Sequence, residues 1–169
     1  MIKKILLTVY FILFSNFVFA ESMKMIGMKG KSNEVSRTID VKMYDNYFEP
    51  KSIKVKNGET IKFVVENKGK LVHEYNIATK KMHLKHQPEM MMMMMQMGIL
   101  LPTKLDMKKM KEASKTNHAM SHSHSNSLLL EPNKKGEIIW KFSTNKELEI
   151  ACNVPGHYQA GMVSAVSIN

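Results

Sequence analysis

Within the eleven residues from Cys152 to Met162 the chain carries a thiolate, an imidazole and a thioether donor, with four residues between Cys152 and His157 and four between His157 and Met162. Donors set this close on one loop need a stiff frame on both sides. The flanking sequence supplies it: Leu148, Ile150 and Cys152 alternate with polar neighbours, so Cys152 reaches the end of a strand pointing inward, and residues 163–168 read as a closing strand. Zinc seldom takes a thioether, whereas one thiolate, imidazoles and a weak, long thioether bond make the trigonal copper site of electron-transfer proteins. The loop holds a single imidazole, so a second has to come from elsewhere in the chain.

The same alternation recurs upstream. Ile39, Val41 and Met43 alternate with polar residues, then Ile53 and Val55 with lysines, then Ile61, Phe63 and Val65, and later Ile138, Trp140 and Phe142. Tyr47-Phe48-Glu49-Pro50 and Asn67-Lys68-Gly69 read as turns, and Asn57-Gly58 as a tight hairpin turn. About seven or eight short strands separated by such signals predict an all-β fold, an antiparallel Greek-key β-sandwich. One strand places Leu71, His73, Tyr75 and Ile77 on one face, with Val72, Glu74, Asn76 and Ala78 on the other. A lone histidine on an apolar face is usually a satisfied core residue. Here the loop lacks one imidazole and the strand order fits, so His73 is the expected fourth donor beside Cys152, His157 and Met162. Glu74 points away and suits hydrogen-bond support of a ligand better than ligation.

The wording CNVPGHYQAGM, with KLVHEYNI upstream, resembles the cupredoxins, in the longer loop form found in auracyanin and rusticyanin, and is most similar to periplasmic copper-tolerance members of the family. The resemblance spans roughly Val41 to Ile168, apart from a long insert. It implies a type 1 copper site, with His157 nearest the surface as the route for electrons and Pro155 and Gly156 shaping the loop.

The N-terminus has its own signature. Met1-Ile2-Lys3-Lys4 is basic, residues 5–19 are apolar, and Val18-Phe19-Ala20 offers small residues where a signal peptidase reads them. Residues 1–20 are therefore expected to be a signal peptide that directs the chain to the periplasm. The apolar run is short for a span of about 20 residues, so no stable membrane insertion is expected after cleavage. Removing 20 of 169 residues leaves about 149, which suits one domain over residues 37–169. Residues 21–36, with Met23, Met25 and Met28, lack strand periodicity and are expected to form a flexible arm, either a plain disordered leader or one whose thioethers hold cuprous ion. A single cysteine excludes an internal disulfide, and an unpaired thiol in an oxidising compartment needs burial or a ligand. Loss of Lys3 and Lys4 lowers the net charge from +10 to +8. That sign suits acidic partners or an anionic membrane face, but scattered lysines fit solvated strand faces better, and no nucleic-acid partner is expected.

Residues 80–127 break the pattern. This insert holds eleven of the 17 methionines and five of the seven histidines. Structureless loops of such length are uncommon inside a compact domain and are usually functional or disordered. If the Met run is helical, Met90, Met93, Met94 and Met97 share one face. Two readings compete: methionines packing on the sandwich, and metal capture by thioethers and imidazoles. The histidines favour capture, with Met82, His83, His86, His118, Met120, His122 and His124 joining the Met stripe as secondary copper donors.

The expected function is thus a copper-binding protein for copper tolerance, not an enzyme, that buffers, redox-handles or passes on the metal. A soluble one-electron carrier is the alternative; the Met/His insert separates them, because a carrier gains nothing from extra soft donors. Copper is the expected cofactor, one type 1 ion with additional ions on the insert. A redox or copper-handling protein is the expected partner, and the chain is expected to be a monomer.

Overall fold

The alternating segments form strands packed as two five-stranded sheets. The computed structural model describes residues 26–122 and 124–169; the expected signal peptide and residues 21–25 of the arm lie outside the described residues. The first sheet runs β1 (Met28–Lys29), β8 (Lys135–Lys141), β5 (Thr60–Asn67), β2 (Arg37–Met43), β3 (Phe48–Glu49). The second runs β4 (Ser52–Val55), β10 (Val163–Ile168), β9 (Leu148–Ala151), β6 (His73–Ala78), β7 (Ser127–Leu130). Between them lies an apolar core in which Trp140, Tyr75, Phe48, Phe63 and Phe142 are the largest buried side chains. Rings meet edge-on or tilted there, as at Phe48 and Tyr75 with centroids 5.8 Å apart, the arrangement that ring quadrupoles favour.

The all-β sandwich is as expected; several details are not. Ten strands are present among the described residues, and the sheets are mixed, because β2 pairs β5 and β4 pairs β10 in parallel. Asn57-Gly58 is no hairpin. It joins β4 to β5, which belong to different sheets, so the turn carries the chain across the sandwich. The left-handed backbone of Gly58, φ 84°, still marks it as a tight turn. The described part of the arm, residues 26–36, is also held in place. Ile26 is buried, its carbonyl accepts the Trp140 Nε1–H at 3.1 Å, and β1 pairs with β8. Gly27 permits this: its φ is 115°, and a Cβ there would lie 2.8 Å from Trp140 Nε1.

The insert is folded rather than structureless. Helix α1 (Lys80–Met95) starts at Thr79, whose hydroxyl accepts the Met82 N–H at 3.3 Å. Helix α2 (Met107–Thr116) is capped likewise by Asp106. A 3-10 turn, His118–Ser121, then leads to β7. As a result β6 is buried at every position, since the core covers one face and the insert the other. Among the described residues, no helix is long and apolar enough to cross a membrane.

Candidate metal centre

Strands β6 and β9 are antiparallel neighbours, which brings His73 at the start of one to Cys152 just past the end of the other. From Cys152 the chain turns back through the ligand loop. Val154-Pro155-Gly156-His157 closes with the His157 N–H on the Val154 carbonyl at 3.0 Å, and Gly156 has φ 88°, the Pro-Gly signature of a type II turn. The Cys152 N–H donates to the Met162 carbonyl at 3.2 Å, tying the loop's two ends together.

Three donors converge. His73 Nδ1 lies 3.8 Å and His157 Nδ1 3.4 Å from Cys152 Sγ, and the two nitrogens are 3.1 Å apart. Metal–donor bonds of about 2.0–2.3 Å give donors sharing one ion much this separation, so the residues fit a single metal. Cys152, His73 and Met162 are buried, whereas His157 is half-buried and forms the edge of the site toward solvent. The structure brings together His73, Cys152 and His157 of the four residues singled out in the sequence, and buries the fourth, Met162, at the far end of the same loop.

Asp45 is the residue that the sequence reading missed. Its Oδ1 accepts the N–H groups of Lys70 and Leu71 and lies 3.0 Å from His73 Nε2. That contact places the His73 proton on Nε2 and leaves the Nδ1 lone pair facing the sulfur, the arrangement metal-binding imidazoles ordinarily have. Asp45 stands in a loop between β2 and β3 with no periodicity to flag it. Glu74 does support the site, but through its backbone, whose N–H donates to Cys152 Sγ at 3.3 Å.

Burial sets the protonation of the donors. It pushes the Cys152 thiol up to about 12, against partial relief from the Glu74 and Val154 amides. It takes His157 down to about 4, with His73 adding to the shift. Burial also lowers His73, outweighing the hydrogen bond and charge of Asp45. Near neutral pH both imidazoles therefore hold open lone pairs, and only the thiol must give up a proton to bind a metal.

The insert's donors divide. Met90 and Met93 are fully buried, Met120 nearly so, and Met82, Met94 and Met97 pack partly buried against the core, so the stripe faces inward as packing. His83 is a satisfied core histidine: Asn153 Nδ2 lies 3.1 Å from its Nδ1, and its Nε2 is 3.3 Å from the Glu149 carbonyl. His118 lies in the 3-10 turn, and its side chain is outside the described residues. His86 and His122 instead meet Glu74 on the outer face of β6, with His124 beside His122 at a ring separation of 6.0 Å.

The comparisons with known proteins agree with this architecture. A family model described as a cupredoxin-like domain matches residues 9–93. The copper-resistant cuproprotein CopI of Pseudomonas aeruginosa is 43% identical over 148 residues, covering 84% of this chain and 81% of that protein. CopI of Rubrivivax gelatinosus is 30% identical over 143 residues, covering 84% and 72%. Among solved structures, auracyanin B superposes with a TM-score of 0.57 at 14% identity, over 85% of this chain and 96% of that one. The dithionite-reduced auracyanin of Roseiflexus castenholzii gives 0.55 at 18% identity, over 80% and 98%, a likeness of fold alone. With a sandwich of this topology, a matching family model and relatives of this identity, the chain belongs to the cupredoxin-like family that includes the copper-resistance cuproproteins.

Proposed function

We propose that this protein is a periplasmic copper-binding cupredoxin that acts in copper tolerance, with one type 1 copper held by His73, Cys152 and His157 and weakly by Met162. The observation that carries the reading is the convergence of two imidazole nitrogens on a buried, unpaired thiol within 3.8 Å. Thiolate, imidazole and thioether together suit copper better than zinc. The similarity to copper-resistance cuproproteins supports the biological role.

Copper held there supplies a one-electron couple. The chain's own residues do the rest. Asp45 fixes the His73 ring, and the Glu74 amide donates to the sulfur, a hydrogen bond of the kind that stabilises thiolate charge. Binding expels the thiol proton, so affinity falls as pH falls. His157 gives the otherwise buried site an edge that a redox partner can approach, which is the observation favouring the second reading, a one-electron carrier.

Purified protein given cupric ion is expected to show an intense visible thiolate-to-copper band, and Cys152→Ala to abolish it. Cells relying on Cys152→Ala are expected to lose copper tolerance. A colourless cupric complex of the wild-type protein overturns the site assignment. Full tolerance without the protein, joined to a respiratory defect, moves the function to the carrier reading.

A further inference from the structure

On the face of β6 opposite His73, a second set of donors meets. One ligand atom each from Glu74, His86 and His122 lies within 4.8 Å of the others. They come from three elements: β6, α1 and the segment just before β7. All are sheltered, with side-chain exposures of 0% for Glu74, 15% for His86 and 2% for His122.

The details are those of a ligand set. His86 Nε2 lies 3.2 Å from Glu74 Oε1, while its Nδ1 lies 3.2 Å from Glu89 Oε2. Glu89 holds one nitrogen of His86, as carboxylates commonly hold metal-binding histidines, and the other faces Glu74, where a bound ion would take the place of the proton the pair shares. His122 carries two further marks. Its φ of 46° puts a non-glycine residue in the left-handed region, an uncommon conformation of a kind that clusters at functional sites. Its Nδ1 is buried without a hydrogen-bond partner, as is Glu89 Oε1. A buried polar group left unpaired costs its full desolvation, so two of them side by side call for a partner. Met93 Sδ lies 2.8 Å from His122 Nε2, a thioether beside the ring. A buried ion pair between His86 and the two glutamates accounts for His86. It leaves the left-handed backbone and the orphaned nitrogen of His122 without a purpose.

We propose that Glu74, His86 and His122 form a second metal site, for a divalent ion that prefers nitrogen and oxygen donors, cupric ion foremost. Two imidazoles and one carboxylate suit cupric and zinc ions rather than cuprous ion, whose preference is for thiolate and thioether. Glu89 is a positioning residue for His86. The inference goes beyond the reading of the Cys152 site and does not depend on which metal that site holds.

The test compares wild-type protein with the His86→Gln/His122→Asn double variant. Both are loaded with cupric ion, desalted, counted for bound copper and measured by electron paramagnetic resonance. The variant is expected to bind one ion fewer per chain and to lose a resonance of nitrogen-and-oxygen-ligated copper with ordinary wide hyperfine splitting. Equal counts and equal spectra overturn the proposal. A missing visible band would count against the Cys152 site only, and leaves this comparison intact. Should the double variant fail to fold by circular dichroism, anomalous scattering at the copper edge from copper-loaded wild-type crystals decides. A peak among the three side chains supports the site, and peaks only elsewhere overturn it.

Discussion

Gly69 shows how narrowly the first site is built. A Cβ there would strike the Asp45 carboxylate and come within 2.7 Å of His73 Nε2, so the smallest possible addition falls on the contact that orients the ligand ring. Gly69→Ala is expected to cost about 1–3 kcal/mol of stability, as overpacking does, and to shift or weaken the visible copper band. Urea unfolding and absorption spectra measure the two effects; an unchanged band would mean that Asp45 does not orient His73. His83 teaches a different lesson. Burial holds its pKa below the ordinary 6.5 in the folded protein, outweighing the Glu149 carbonyl and the nearby carboxylates. The unfolded chain therefore binds more protons than the native one below about pH 6.5, so His83's contribution is complete above that pH and is lost as pH falls toward the lowered native value. One proton is worth about 1.4 kcal/mol per pH unit. Between pH 6.5 and 5.5 metal-free wild type is expected to lose up to about 1.4 kcal/mol more than His83→Gln. Equal losses in urea titrations would show that His83 protonates freely when folded.

At the scale of elements, α1 works as part of the fold. Met90 is fully buried in it, whereas Met95 is 71% exposed. Met90→Ala is expected to cost about 2–5 kcal/mol, as other truncations of large buried side chains do. Met95→Ala is expected to stay within about 0.5 kcal/mol. Thermal or urea unfolding of the two variants checks the contrast, and equal small effects would return the Met run to the role of a loose metal-capturing segment. Beside these apolar contacts, the helix also meets buried polar groups on the sheet. Glu74 accepts hydrogen bonds from Ser127 Oγ at 2.8 Å and Asn153 Nδ2 at 2.7 Å, and Asn126 Nδ2 donates to the Ile77 carbonyl at 3.0 Å. Its neighbour His86 is raised to about 10: burial opposes the change, but Glu74 and then Glu89 outweigh it.

For the molecule as a whole, legibility followed the range of the interactions. Period-two alternation is local, so the strands carrying Val41, Phe63, Trp140 and Ile150 could be read directly, as could a ligand loop lying within eleven residues. Which sheet a strand joins is not local. Asn57-Gly58 has a hairpin's composition, yet it links strands whose partners lie far along the chain, β4 with β10 and β5 with β2 and β8. Glu74 was legible in direction, since alternation turns it away from His73, but nothing near it signals that a helix folds over that face. Asp45 was hidden for the same reason: its partner His73 is 28 residues away. The polar seam beneath α1 has one more effect. Apolar surfaces slide over one another with little penalty, but hydrogen-bond donors and acceptors have directions. A slip of one residue would rotate the helix by about 100°, taking His83 from Asn153 and His86 from Glu74 in the same movement. Together with the buried methionines, these directed contacts favour one register of the insert on the sheet, so residues that give it chemical interest also help to seat it.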